Sequence, residues 1–404
     1  MVVGMAWIYL TEKISSMFNN DKSFVQRLSD RMVKENILYI KLFQALSGHE
    51  DILSKEDLVY LRKYTENVPY TMDDYDIMDL ITTLRKSDIS LFDMKPIASG
   101  VISLVFYGWD NTNRKKLAIK VKRKGIDKQL KKDINALKGE IKFFQRFTNI
   151  NITDIYEENI EILNSQIDFA NEINNIKFYS EINKDINYVK IPVVYENLSN
   201  EHMIVMEYIE GQRLNDITNI NDKAIFGDLL SKMVYKDFLI NRCFHGDMHQ
   251  GNIIFTKDPD GTHKLGIIDF GIIGRLSREE QDVYFRVLQG FYDNDIIGVY
   301  RLCIEEIIGP EDIVNSLTPI QSKELKSNLL LIIEEAISSK VNSFNQINSL
   351  SKALINLNLK IKPIFSKVEL SIGVSQGVLD HLIKGHIDFF DLLMKTFNEL
   401  TELT

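Results

Sequence analysis

A chain of 404 residues with 45% apolar content is long enough for one large domain or two to three ordinary ones, each with a substantial core. A formal net charge of −9 argues against a nucleic-acid partner, because no face needs to be basic enough to neutralise a phosphate backbone. Two cysteines, Cys243 and Cys303, form neither a disulfide framework nor a thiolate zinc site, and they fit a reducing compartment, cytoplasmic by default.

The chain opens on "MVVGMAWIYL". This apolar stretch falls well short of the ~20 residues a spanning helix requires and has neither a basic leader nor a small-residue cleavage site, so a buried helix start is expected. No other window is long and apolar enough to span, which predicts a soluble or peripheral protein. Residues 1–92 read as a helical module, in which "SFVQRLSDRMVKENILYIKLFQALS" spaces its apolar residues by three and four. From residue 93 the period changes to two: "PIASGVISLVFYGWD" and "KLAIKVKRK" form a strand pair across the turn-rich "DNTNRKK". The lysine-rich run 114–132 is the one basic concentration, read as part solvated face with a phosphate-facing role open to it. Residues 127–183 return to helical spacing, and "YVKIPVVYENLSNEHMIVMEYIEG" predicts two further strands. Beyond Gly211 the chain is mainly helical, except that "GNIIFTKDPDGTHKLGIIDFG" sets two apolar runs around Asp-Pro-Asp-Gly, the signal of a β-hairpin. Domains are therefore expected at 1–92, 93–210 and 211–404.

The chemistry concentrates in "FHGDMHQGNIIF". His245, Asp247 and His249 suggest a metal site, but their alternation would converge only in a strand, and Gly246 and Gly251 mark a loop feeding one. A second reading follows from what lies downstream. Asn252 stands five residues after Asp247, and the returning strand of the hairpin ends in Asp269-Phe270-Gly271. That order is the second half of a kinase active site, where Asn252 and Asp269 hold Mg²⁺ through hard oxygen ligands and Asp247 orients or deprotonates the acceptor.

The first half is found independently. "LAIK" places Lys120 on a strand, as expected of the lysine that meets the ATP phosphates. Upstream, the three usual glycine positions of a phosphate loop fall on Ala98, Gly100 and Ser103. "VMEYIEG" occupies the position of the strand before an interlobe hinge, with the adenine edge hydrogen-bonded near Glu207 to Ile209. The expected fold is α+β, a bilobal protein-kinase-like fold with a helical N-terminal extension, and the expected cofactors are ATP and Mg²⁺.

Taken together, "YIKLFQALS", "PIASGVISLVF", "LAIKVKRKG", "IDFANEINN", "FHGDMHQGN" and "DFGIIGRLS" resemble the UbiB/ADCK atypical kinase-like family from about residue 25 to 290. The resemblance implies an extension folded over the active site, nucleotide binding or ATP hydrolysis in preference to peptide phosphorylation, and a tie to ubiquinone or other isoprenoid-lipid metabolism. It assigns Lys41 and Gln44 to the extension's lysine and glutamine, with Phe43 where the family has glycine. It makes Glu172 the salt-bridge partner of Lys120, and His245 a structural histidine supporting the loop. Two departures stand out. The family's Glu-x-Asp falls on Gln166 to Asp168, so Lys41 would face a neutral amide, and the usual alanine-rich phosphate loop carries Gly100. The run after Asp269 has no Ala-Pro-Glu and enters a helix quickly, which favours a small or lipid acceptor or plain ATPase activity over a peptide. A small-molecule phosphotransferase of the aminoglycoside or choline kinase type and a nucleotide-binding pseudokinase remain as alternatives. The C-terminal "DHLIKGHIDFFDLLMKTFNELTELT" is too charged to span, leaving an amphipathic helix as its route to peripheral membrane contact.

Overall fold

The computed structural model describes residues 23–35, 56–57, 60, 68–144, 166–338, 354, 357–383 and 395–399. Lys41, Phe43 and Gln44 lie outside the described residues. The elements that position the site are, in chain order, helix α1 (Phe24–Glu35), α2 (Ile77–Arg85), strands β1 (Ile89–Leu91), β2 (Ala98–Ser99), β3 (Ser103–Asp110) and β4 (Lys115–Lys122). They continue with α3 (Ile126–Phe144), α4 (Phe169–Ile182), β5 (Val189–Lys190), β6 (Met203–Glu207), α5 (Ile220–Leu239), β7 (Cys243–His245), β8 (Ile253–Lys257), β9 (His263–Ile267), β10 (Ile273–Arg275) and α6 (Arg278–Tyr292). The chain divides into two compact units, one of residues 1–178 with 192–209, the other of residues 179–191 with 210–404.

The first unit is built on an antiparallel sheet in the order β1-β3-β4-β6, with β2 paired to the start of β3. Alternate residues of β3 point inward, and Leu104 and Phe106 pack with Leu117, Ile119, Met203 and Val205 into one core. At roughly 1.5–3 kcal/mol for each fully buried large apolar side chain, this face holds the sheet. Helix α2 covers it with Leu80 and Leu84, one helical turn apart. The helix starts where the Asp76 carboxylate accepts the Asp79 N–H, 3.1 Å away. The β3–β4 turn is pinned by Asp110, which accepts both the backbone and the side-chain N–H of Asn113 at 2.9 and 2.8 Å. Those bonds hold its carboxyl below the usual range.

In the second unit, β8 and β9 form the hairpin expected across Asp258-Pro259-Asp260-Gly261, with Gly261 at φ +90°. Strand β5 joins it in parallel. Helix α5 is capped by Asn219 and packs on a helix α10 (Pro363–Ile383) so closely that a Cβ on Gly227 would stand 2.4 Å from Ile383. Tyr235, Phe238, Phe244, Leu276, Tyr284, Phe365 and Val368 fill the core there. Between α6 and α10 come α7 (Ile296–Leu302), α8 (Glu311–Ser316) and α9 (Pro319–Ser338), around a second core that includes Val299, Leu325, Leu329 and Leu354. No helix among the described residues is long and apolar enough to cross a membrane.

Three local expectations are corrected. Residues 89–91, read as helical, form β1, because Ile89 must fill the sheet core opposite Asp110. The stretch 188–200, expected to supply one of the two further strands, contributes only the two residues of β5, in the second unit's sheet, and a single bridge from Val194 to Met206. The region after Gly211 contains short strand pairs that helical periodicity does not register, β7 with β10 and Ile308–Gly309 with Lys360–Ile361.

Candidate active site

Lys120 sits mid-sheet, opposite Val105 on one side and Ile204 on the other. Its ammonium lies 2.5 Å from Glu172 Oε1, with side-chain exposures of 9% and 1%. Glu172 belongs to the first turn of α4, where the helix dipole favours a carboxylate. Asp168 starts that helix by accepting the Asn171 N–H at 3.1 Å, so the retained aspartate of the "QID" segment serves as a cap. The Phe169 ring lies 5.8 Å from the Lys120 ammonium. A buried pair of this kind gives little net stability, but it holds a flexible lysine stem in one direction.

The turn between β2 and β3 is tightly tied. The Gly100 N–H donates to Ser103 O at 2.9 Å, and the Gly100 carbonyl accepts Arg123 Nε at 3.0 Å. Val101 and Ile102 at its tip are buried. Gly100 is not in the left-handed region, and a Cβ there would meet only Ser103 O at 3.5 Å. Glycine is therefore not required by the local backbone. Glu207 ends β6, its N–H donating to Val193 O at 2.8 Å, and Ile209, two residues past the strand, is buried just before the chain enters the second unit.

In the second unit, one buried histidine organises the loop. The Asp247 N–H donates to His245 Nδ1 at 3.2 Å, so that nitrogen is the acceptor. Nε2 must then carry the hydrogen and donate to the Asp269 carbonyl, 2.7 Å away. With both ring nitrogens engaged, His245 is not available to a zinc ion, which disposes of the histidine-metal reading. Burial lowers its pKa, keeping it neutral. The Ser371 hydroxyl donates to the His245 carbonyl at 2.5 Å. His249 caps the following turn by accepting the Gly251 N–H at 3.0 Å.

Asn252 donates its side-chain N–H to the Asp247 carbonyl at 2.8 Å. A carbonyl can only accept, so the amide's oxygen is the atom left for a cation. The Asn252 backbone carbonyl accepts the Ile268 N–H at 3.1 Å, and Asp269 Oδ1 accepts the Gly271 N–H at 3.0 Å. Asp247, Asn252 and Asp269 are thus joined through a short hydrogen-bonded framework. Among the described residues no group of three or more His, Cys, Asp or Glu side chains forms a metal cage. One amide oxygen and one carboxylate instead fit Mg²⁺, which keeps several waters and takes phosphate oxygens for its remaining ligands.

Sequence reasoning missed several residues around these groups. Arg123, in the run taken as partly solvated, is buried. Asp237 is buried on α5, accepting the Tyr179 hydroxyl and, at 3.1 Å, the Asn241 side-chain N–H. Burial pushes its pKa up to about 7. Its one signal in the sequence is an aspartate inside the apolar stretch "MVYKDFLI". Gly274 is forced by Phe244, whose ring would lie 2.0 Å from a Cβ, and Leu276 fills the core beside it, which explains Gly-Arg-Leu after Asp-Phe-Gly.

A strand lysine paired with a helix glutamate, followed by an Asp, an Asn and an Asp-Phe-Gly flanking a hairpin, defines a protein-kinase-like domain of the α+β class. The model of the ABC1 atypical kinase-like domain matches residues 82–303, more than half of the sequence, and the chain belongs to that family. It is 27% identical to a probable protein kinase UbiB of Shewanella sp. (strain W3-18-1), covering 74% of this chain and 57% of that protein. It is 26% identical to the chloroplastic protein Activity of BC1 complex kinase 8 of Arabidopsis thaliana, over 72% of this chain and 40% of that one. The chain thus spans only about half the length of these two curated relatives. Among solved structures, Rv3197 of Mycobacterium tuberculosis, determined in complex with erythromycin, matches with a TM-score of 0.53 at 17% identity, over 84% of this chain and 87% of that one, a likeness of fold.

Proposed function

We propose that the chain binds Mg-ATP and acts as an atypical kinase or ATPase on, or together with, a lipid or quinone-related small molecule. The observation that carries the reading is the buried Lys120–Glu172 pair. A lysine held in one direction on a central strand is an arrangement suited to nucleotide phosphates. In this reading Lys120 and the turn at Gly100 meet the phosphates, backbone groups between Glu207 and Ile209 take the adenine edge, and Asn252 and Asp269 hold the metal. When bound, Mg²⁺ would neutralise phosphate charge. Asp247 orients or deprotonates the acceptor hydroxyl or water. Lys41 and Gln44 would approach the nucleotide from the N-terminal extension. Residues 1–92 serve as that extension, 93–210 as the nucleotide lobe and 211–404 as the lobe bearing metal and acceptor residues.

A non-peptide acceptor is favoured by the short path after Asp269-Phe270-Gly271. The chain passes through β10 and enters α6 at Arg278, leaving little length for a peptide-docking segment. The UbiB relatives, named as probable protein kinases, support phosphotransfer chemistry in general. Peripheral membrane contact would bring the acceptor and the enzyme together. The test is Mg-dependent ATP turnover by the full chain with and without anionic vesicles and phenolic quinone precursors. Stimulation by either supports the acceptor class. Turnover indifferent to both but raised by soluble amino alcohols favours a small-molecule phosphotransferase, and nucleotide binding with no turnover favours a pseudokinase.

A further inference from the structure

Arg123 follows Lys120 by three positions and comes directly after the strand that carries it. Its side chain is 5% exposed, and its five N–H donors are spent on a specific set of acceptors. Nε donates to the Gly100 carbonyl at 3.0 Å, and Nη2 to the Ser99 hydroxyl oxygen at 2.8 Å. These acceptors are the first residue of the β2–β3 turn and the last residue of β2. The remaining bonds run the other way, to the Pro69 carbonyl at 3.2 and 3.3 Å, the Val68 carbonyl at 3.4 Å and the Asp74 carboxylate at 3.0 Å.

The two acceptor groups are also bonded to each other. The Ser99 hydroxyl donates to Val68 O at 2.6 Å, and the Val68 N–H donates to Ser99 O at 2.9 Å. The Arg123 N–H donates to Ile102 O at 2.8 Å and the Lys124 N–H to Asp74 O at 2.6 Å, closing the arrangement from the backbone. Residues 68–74 lie before the start of the family match at residue 82. A segment that precedes the family match is thus tied to this turn both by direct Ser99–Val68 bonds and by one guanidinium that reaches each side.

A buried cation met mostly by neutral carbonyls carries a desolvation cost that an apolar residue of similar size would avoid. Burial accordingly lowers the Arg123 pKa, with Asp74 acting in the opposite direction. What the guanidinium supplies is a planar fork that fixes several acceptors in one geometry, which a lysine ammonium on the same stem would not reproduce.

We propose that Arg123 is a positioning residue for nucleotide binding, clamping the phosphate turn Ser99–Ser103 to the segment Val68–Asp74 so that this segment sets where the turn stands over the phosphates. The proposal rests on the reading that this turn meets nucleotide phosphates. It touches no reacting atom itself; it acts through the Gly100 carbonyl and the Ser99 hydroxyl.

The test compares the full-length wild type with Arg123→Lys, Ser99→Ala and Asp74→Asn, by amide hydrogen exchange without ligand and by Mg-ATP binding. In Arg123→Lys, exchange should speed up in both 68–74 and 98–103 while α2 and β6 keep their protection. The Kd for Mg-ATP should rise about tenfold, the loss expected when charge-assisted bonds are removed. Ser99→Ala should move both readouts the same way by a smaller factor, and so should Asp74→Asn; these two decide the matter if Arg123→Lys does not fold. Unchanged exchange in the turn overturns the clamp. A loosened turn with unaltered Kd makes Arg123 purely structural and also overturns the proposal. Absence of Mg-ATP binding by the wild type removes the nucleotide reading beneath it, an outcome recognised without any variant.

Discussion

Glu172 is the residue whose environment makes the sharpest demand. Its carboxylate is buried 2.5 Å from Lys120, so Glu172→Gln keeps the shape and an acceptor oxygen but removes the charge that directs the ammonium. Mg-ATP affinity should fall about tenfold or more, measured by calorimetry, with the circular dichroism spectrum retained. Asp237 gives a prediction of a different kind. The folded state holds its proton up to about pH 7, whereas the unfolded chain releases it near the ordinary 3.8. The folded state therefore binds more protons between these values, and this group's contribution to stability, full below about pH 4, is lost as pH rises to about 7. Asp237→Asn, which still offers an oxygen to the Tyr179 hydroxyl, should flatten the fall in stability over that interval, and chemical denaturation at pH 5 and pH 8 would measure it. An unchanged pH slope would mean that Asp237 is not the group responsible.

At the scale of elements, two glycines make opposite predictions. In β10, a Cβ at Gly274 would lie 2.0 Å from Phe244 and inside its ring's contact surface, so Gly274→Ala should cost about 1–3 kcal/mol, read by urea denaturation. At Gly100 a Cβ finds ordinary contact distance, so Gly100→Ala should fold like the wild type. Any change in its nucleotide affinity or turnover then reports on approach to the phosphates rather than on strain, and none at all would leave that glycine without a nucleotide role.

The elements that sequence made legible share a physical property. The β3–β4 pair and the β8–β9 hairpin alternate apolar residues across turns rich in Asn, Asp and Gly, so local pattern and tertiary burial agree. Strands β1, β5 and β10 are two or three residues long, too short for a period to register, and exist because a partner strand needs completing. The motif residues Lys120, Asp247, Asn252 and Asp269 could be read from order and spacing. Arg123 and Asp237 could not, since charged residues are assigned to the surface by default and only tertiary contacts reveal what encloses them.

For the whole molecule, the proposed function gives Lys120 and Asp269 one shared nucleotide. Groups that serve a single bound ligand are strongly non-additive. The double variant Lys120→Met/Asp269→Asn should therefore turn over ATP no more slowly than the worse single variant. Losses that simply multiply would indicate two independent effects.

The most direct test is calorimetric titration of the full chain with ATP, with and without Mg²⁺, for the wild type and Asp269→Asn. Binding by the wild type should strengthen with Mg²⁺, and that dependence should be lost in Asp269→Asn. No nucleotide binding, or binding that responds to Mg²⁺ equally in both proteins, would contradict the proposed function.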